Sequence, residues 1–240
     1  MSPAKASQTA RERARAELTR EITEQARRQL AETGAQGLSL RAVARELGMV
    51  SSALYRYFPS RDDLLTALII DAYNALGEAA ETAVAAGAGA GLRARVRWLA
   101  ACHAVRDWAL THPHEYALIY GSPVPGYRAP RATVGPAARV PLAFARVLAD
   151  AAAAGALRTG DEPALDGTLA AQAGALAAAL AESGASAVPP DALVRAVIAW
   201  SQLFGMISFE LFGQFVGSFE PADAAFDYAV AQLATFVGLK

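Results

Sequence analysis

The sequence predicts an all-α fold, and three observations carry that prediction. Apolar residues recur at helical spacing along the whole chain, alternation with a period of two is not sustained anywhere, and alanine-rich segments dominate. No internal repeat is visible. The 240 residues are 54% hydrophobic and only 19% charged, which provides ample material for a core. So low a charged fraction also indicates that some apolar surface is buried against a partner.

About ten helices are expected, and glycine and proline separate them. Ser39 is suited to cap the second helix and Ser60 the fourth, while a proline- and glycine-rich connection fills 121–136. The predicted helices cover about 11–33, 40–47, 51–57, 62–84, 92–111, a short stretch after Pro113, 137–156, 164–182, 191–215 and 221–237.

Charge divides the chain into two parts. Residues 1–61 hold 11 Lys and Arg against 6 Asp and Glu, whereas residues 62–240 hold 11 against 17. A basic module on an acidic body is typical of a small DNA-binding domain joined to a larger domain. The predicted domains are a disordered tail at 1–10, a DNA-binding domain at 11–61, a linking helix at 62–84 and a helical domain at 85–240.

The stretch 38–65 predicts a helix-turn-helix. Gly48 provides the tight turn between two short helices. A core that holds the helices at a fixed angle is expected from Ile22, Ala26, Leu30, Val43, Ala44, Leu47 and Leu54.

The residues expected to contact DNA divide by the group that they would reach. Short side chains at the start of the second helix suit base edges, whereas hydroxyl and guanidinium groups suit phosphates. Taken alone, each tyrosine could instead be a packing residue and each arginine a solvated surface charge. The base-edge candidates are Ser51, Ser52 and Ala53; the phosphate candidates are Ser39, Tyr55, Tyr57 and Arg61; and Arg41 suits a guanine or a phosphate.

The segment Leu54-Tyr55-Arg56-Tyr57-Phe58-Pro59-Ser60-Arg61, followed by Leu64-Leu65, resembles the signature of the TetR family of transcriptional regulators. Ala42-Val43-Ala44 and Leu47-Gly48 fit the second helix of the same family. The resemblance covers about residues 15–80. Val50 departs from it, because the family usually has a serine there, so the cap of the recognition helix and the register of the base contacts are in question.

The resemblance implies a C-terminal domain that binds a small molecule and forms a homodimer. The stretch HPHEYALIYGSPVPGY, from His112 to Tyr127, looks like one subtype of that domain. Candidates for the ligand pocket are aromatic and apolar residues with a few polar groups, each of which could instead be plain core. They are Trp98, Val105, Asp107, Trp108, Tyr116, Tyr120, Tyr127, Arg128, Phe144, Gln172, Trp200 and Phe204.

Apolar seams along the eighth and ninth helices independently support the dimer. A helix that is apolar nearly all round is buried on more than one side, either by the domain core alone or also by a partner subunit. The predicted interface residues are Leu165, Leu169, Leu176, Leu180, Val197, Trp200, Phe204, Ile207 and Leu211.

Several other classes are disfavoured. The three histidines and the one cysteine, Cys102, form no metal-binding or nucleophilic pattern, so we expect no metal, no cofactor and no enzymatic activity. The N-terminal sequence has no apolar segment of a signal peptide, and the apolar runs are too short to span a membrane. The expected function is a cytoplasmic, ligand-responsive repressor that binds a near-palindromic operator. The alternatives are an activator, a regulator that answers a protein partner, or a helical binding protein without DNA recognition.

Overall fold

The computed structural model describes residues 3–89, 91–158, 164–182 and 188–240. The described chain forms ten α-helices, with a 3-10 helix at Arg131–Thr133. No strand occurs in these ranges, where the one β-type pairing is an isolated bridge between Leu157 and Leu239. The all-α prediction is confirmed. The helices are α1 (Pro3–Gly37), α2 (Leu40–Glu46), α3 (Ser51–Leu54), α4 (Arg61–Gly89), α5 (Ala94–Thr111), α6 (Pro113–Tyr120), α7 (Val134–Ala153), α8 (Gly167–Glu182), α9 (Pro190–Leu211) and α10 (Asp223–Phe236).

The N-terminus differs from the sequence prediction. Helix α1 begins at Pro3, within the segment 1–10 that the sequence predicts to be a disordered tail, and residues 1–2 of that prediction lie outside the described residues. The alanines, lysine and glutamine of this segment are good helix formers, which explains the extension. Gly34 interrupts α1 as expected, because it adopts φ 68° and ψ 174°. Helix α3 is shorter than predicted, since residues 55–57 form a turn.

The chain divides into two compact units. The first consists of Met1–Tyr73 and His114–Val134, and the second of Asn74–Pro113 and Gly135–Lys240. The sequence-based division assigns everything beyond residue 84 to one domain, whereas the segment 114–134 belongs to the first unit. Helix α4 supplies residues to both units.

The first unit is built on the predicted helix-turn-helix core. Helices α1 to α4 contribute residues that are 7% exposed or less, among them Ile22, Ala26, Val43, Ala44, Leu54, Leu64, Leu65 and Leu68. Leu118 and Ile119 of α6 pack against this cluster, together with Val124 and Tyr127 of the following loop. Helix α6 is therefore part of the unit that carries the helix-turn-helix.

The second unit joins α5 to α7, α9 and α10. The rings of Trp98 on α5 and Phe144 on α7 lie 4.6 Å apart. Arg106 of α5 hydrogen-bonds to Glu210 of α9 and Asp223 of α10. These contacts hold α5 in the centre of the unit.

Helix α9 is long and apolar enough to cross a membrane by length and composition, with a mean hydropathy of 1.5 in its most apolar window. The core helices of globular proteins meet the same criterion. The inward face of α9, which includes Leu193, Leu203 and Ile207, belongs to the core of the second unit.

Candidate nucleic-acid interface and helical-domain cavity

Ser39 fixes the start of α2. Its hydroxyl oxygen accepts a hydrogen bond from the Ala42 N–H at 3.4 Å, which is the predicted N-cap. Its own N–H donates to Oε1 of Gln29 on α1 at 2.9 Å. Sequence reasoning missed Gln29, whose role depends on where α1 passes the start of α2. The two bonds hold the start of α2 against α1.

Gly48 forms the turn between α2 and α3. It has φ 65°, a left-handed conformation that favours glycine. The Gly48 N–H donates to the Arg45 carbonyl at 3.0 Å, and the Met49 N–H donates to the Ala44 carbonyl at 2.8 Å. Only the four residues 47–50 therefore separate α2 from α3.

The three residues predicted to face base edges begin α3. Ser52 is exposed, while Ser51 and Ala53 are half-buried. Among the described residues, neither serine hydroxyl has a hydrogen-bond partner. Val50 occupies the N-cap position and makes no side-chain cap bond. The hydroxyls are therefore available to an external partner.

Two of the aromatic and basic candidates are open to solvent, and one is partly packed. Tyr55 is 42% exposed and Arg41 is also exposed. The ring of Tyr57 is half-buried, and the Arg15 guanidinium lies 5.1 Å from its centroid. Tyr57 thus contributes its ring to packing.

The second unit contains an apolar cavity of about 190 Å³ between α7, α8 and α9. The Nε1–H of Trp200 is buried and has no hydrogen-bond acceptor in the described part of the chain. No charged side chain of the described residues lines the cavity. The lining residues are Pro141, Phe144, Ala145, Leu176, Leu180, Leu193, Ala196, Val197 and Trp200.

Comparison with known proteins agrees with both parts of this architecture. Residues 22–68 match the family model of bacterial regulatory proteins of the tetR family, and residues 98–233 match a tetracyclin repressor-like C-terminal domain. The chain belongs to the TetR family of transcriptional regulators.

Similar proteins include the HTH-type transcriptional regulator Rv1816 of Mycobacterium tuberculosis (strain ATCC 25618 / H37Rv), which is 41% identical over 203 residues, or 84% of each chain. A crystal structure of the protein SCO4313 is 37% identical with a TM-score of 0.71, covering 93% of this chain and 98% of that one. A protein of unknown function from Rhodococcus sp. RHA1 is 27% identical with a TM-score of 0.65, covering 92% and 95%. The TetR family and the named relative are regulators, not enzymes.

Arg61 makes its hydrogen bonds to the backbone of its own unit in this TetR-family fold. Its guanidinium donates to the carbonyls of Ala35 at 2.7 Å, Leu38 at 3.2 Å and Gln36 at 3.4 Å. Ala35 and Gln36 lie in the last residues of α1, and Leu38 lies in the connection to α2, so the guanidinium stabilises the end of α1. Its Nε and Nη2 donors are directed at the backbone, and its contact with a phosphate stays a prediction.

We expect Arg61→Ala to lower the free energy of unfolding by about 1–3 kcal/mol, since it leaves carbonyls unpaired. Urea denaturation measures this effect. The exposed Arg41→Ala is the matched control and should change stability by less than about 0.5 kcal/mol. Arg41→Ala should instead reduce the salt dependence of DNA binding by about one counterion. If Arg61→Ala leaves stability unchanged but reduces the salt dependence of DNA binding, Arg61 contacts a phosphate instead.

The predicted pocket residues fall into different surroundings. Phe144 and Trp200 line the cavity, Trp98 packs on Phe144, and Phe204 packs on Trp200 at 5.5 Å. Val105 and Trp108 are buried in α5. Trp98, Val105, Trp108 and Phe204 do not line this cavity, and their part in binding a ligand stays a prediction.

The three predicted pocket tyrosines belong to the first unit, so they do not line this cavity of the second unit. The rings of Tyr116 and Tyr120 lie 5.2 Å apart, and burial raises the pKa of Tyr120. The Tyr127 hydroxyl is 2.9 Å from Oγ1 of Thr66 on α4. They pack α6 and its following loop in that unit. The polar candidates Asp107, Arg128 and Gln172 are exposed and do not line the cavity either.

The predicted interface residues also divide. Phe204 is 7% exposed and Ile207 is fully buried within one protomer, so both are core and their assignment is corrected. Leu176, Leu180, Val197 and Trp200 line the cavity. The periodicity of α9 predicts a continuous seam, of which the protomer buries Phe204 and Ile207 but leaves Val197 48% exposed. Leu165, Leu169 and Leu211 are exposed or half-buried and stay predictions.

Proposed function

We propose that this TetR-family regulator is a cytoplasmic homodimeric repressor, released from a near-palindromic operator by a small apolar molecule. The observation that carries ligand control is the cavity between α7, α8 and α9. Its lining consists of aromatic and aliphatic side chains, and one lining residue, Trp200, carries a buried N–H donor without an acceptor in the described part of the chain. Such a lining is typical of small-molecule sites.

The lining defines the chemistry of the ligand. A charged ligand would lose its hydration without gaining a countercharge, because none of the residues that line the cavity is charged. A neutral ligand with one carbonyl, ether or hydroxyl oxygen would accept from the Trp200 Nε1–H once the indole turns toward the cavity, because that nitrogen is buried behind the cavity surface. A buried donor without an acceptor costs about 1–3 kcal/mol, so filling that position favours binding.

DNA binding would use the two α3 helices of a dimer. In this mode they enter successive major grooves about 34–36 Å apart, and the operator repeats the twofold symmetry of the protein. Ser51, Ser52 and Ala53 would face base edges. The DNA phosphates would be contacted by Ser39, Arg41, Tyr55 and Tyr57, which fix the position of the protein on the duplex. A ligand releases the DNA if it binds better to a dimer whose α3 spacing does not fit the operator.

The dimer interface is proposed on the outer face of α9 and α10. Phe209 is 53% exposed and Tyr228 is 69% exposed, and both line an open groove of about 410 Å³. The other residues of that groove are Gln202, Gly205, Met206, Ala229, Gln232 and Leu233, none of them charged. Depletion of charge with exposed aromatic residues is typical of interface centres.

The experiment uses the full chain and a DNA duplex that the protein selects from a random-sequence pool. Acetophenone, a neutral aromatic ketone, is the probe, and ethylbenzene and benzoate are its carbonyl-free and charged counterparts. We expect acetophenone to bind and to release the duplex in an anisotropy assay, and benzoate to do neither. Trp200→Phe should weaken acetophenone binding about three- to tenfold by calorimetry and leave ethylbenzene binding unchanged.

A cavity-filling variant tests the location of the site. Ala196→Leu places a larger side chain in the cavity lining and should abolish the response to acetophenone while operator binding persists. Ala170→Leu on the exposed face of α8 is the matched control and should respond like the unaltered protein. An unaltered response in Ala196→Leu would place the ligand elsewhere.

A further inference from the structure

Val50 is an apolar side chain exposed at the tip of the helix-turn-helix. It is 70% exposed and lies between the Gly48 turn and α3. Its backbone is extended, with φ −70° and ψ 137°, and its side chain makes no cap bond. Serine, threonine, asparagine or aspartate at such a position would cap the helix. Val50 therefore contributes neither a cap nor core packing to its own protomer.

The neighbours of Val50 indicate what this side chain meets. Ser51 and Ser52 follow it directly, and their hydroxyls have no partner within the described chain. Base edges in the major groove present hydrogen-bonding groups at every pair but a single apolar group, the C5 methyl of thymine. A valine has nothing to donate to a phosphate. Its two methyl groups match only that thymine methyl.

We propose that Val50 contacts the C5 methyl of a thymine in each operator half-site and determines base preference there. This inference rests on the proposed function, in which α3 enters the major groove. Burial of one methyl group corresponds to about a fourfold change in affinity. Removal of the methyl from both half-sites of a dimer operator should weaken binding about 15-fold, because the two contributions multiply.

The test replaces thymine by uracil, which removes the methyl and keeps every hydrogen-bonding group. Each thymine of the selected duplex is replaced in turn, in one half-site and then in both, and the dissociation constant is measured by anisotropy. We expect one thymine per half-site to show the fourfold loss and the others little change. Val50→Ala should bind the thymine and uracil duplexes at that position equally.

Two further variants separate this contact from a structural role. Val50→Ser restores a cap, so it should raise thermal stability while abolishing the thymine preference. Val134→Ser changes another valine, 64% exposed at the start of α7, and should keep the preference.

Selected half-sites without thymine would overturn the proposal, as would a duplex insensitive to uracil at every position. The same holds if Val50→Ala retains the full preference. Failure to select any duplex would instead contradict operator binding itself, and this proposal with it.

Discussion

Arg106→Ala is expected to lower the free energy of unfolding of the second unit by about 3–5 kcal/mol. The Arg106 side chain is only 7% exposed and joins three helices. Nε and Nη2 donate to the two carboxylate oxygens of Glu210 on α9, at 2.8 and 2.6 Å, and Nη1 donates to Asp223 of α10 at 3.0 Å. Without the guanidinium, the Glu210 carboxylate, which is only 17% exposed, has no countercharge.

A second contact adds to this effect. The guanidinium carbon of Arg106 lies 4.8 Å from the centroid of the Phe226 ring on α10. The hydrogen bonds that Arg106 donates to Glu210 and Asp223 raise its pKa, so the cation persists at every pH of interest.

Urea denaturation monitored by circular dichroism measures the loss. Arg146→Ala, an exposed arginine on α7, is the control and should stay within about 0.5 kcal/mol of the unaltered protein. The double variant Arg106→Met, Glu210→Met should recover most of the stability, because an apolar pair leaves no buried charge. If Arg106→Ala lowers the free energy of unfolding by less than about 1 kcal/mol, water solvates Glu210 and the ion pair contributes little.

The local sequence was sufficient to predict the helix-turn-helix. The positive φ of Gly48, the cap at Ser39 and the core residues Ile22, Val43 and Leu54 all follow from patterns within a few residues. Each of these features depends on short-range geometry, which spacing and residue type describe well.

Long-range partners could not be predicted in this way. Arg61 resembles a surface cation in the sequence, but its acceptors lie 23 to 26 residues earlier in the chain. Likewise, the aromatic residues of 114–134 pack in the first unit, although they follow α5 of the second. Periodicity finds the apolar faces of α9, but it cannot tell which face the protomer buries. For that reason the periodicity predicts an interface at Phe204 and Ile207, which the protomer buries in its own core.

The largest expected effect on function concerns Gly205, on the proposed dimer face of α9. A Cβ built at this glycine meets no atom within 4 Å in its own protomer. A glycine inside a helix costs about 1 kcal/mol relative to alanine, and here no packing in the protomer compensates for it. Close approach of a partner helix would explain the residue. Gly205→Leu should therefore leave the protomer folded and prevent dimerisation.

Sedimentation at micromolar concentration should give the unaltered protein twice the 25.0 kDa chain mass, and Gly205→Leu a single chain mass. Operator affinity should fall about 100-fold or more in the variant, because the second half-site is no longer bound intramolecularly. Gly174→Leu is the matched control, since Gly174 lies within α8 and is equally open. If Gly205→Leu remains a dimer and Gly174→Leu dissociates, α8 forms the interface. If neither variant dissociates, the dimer interface lies on a surface that contains neither Gly205 nor Gly174. A single chain mass for the unaltered protein would reject the homodimer, and two α3 helices could then not bind one operator through this face.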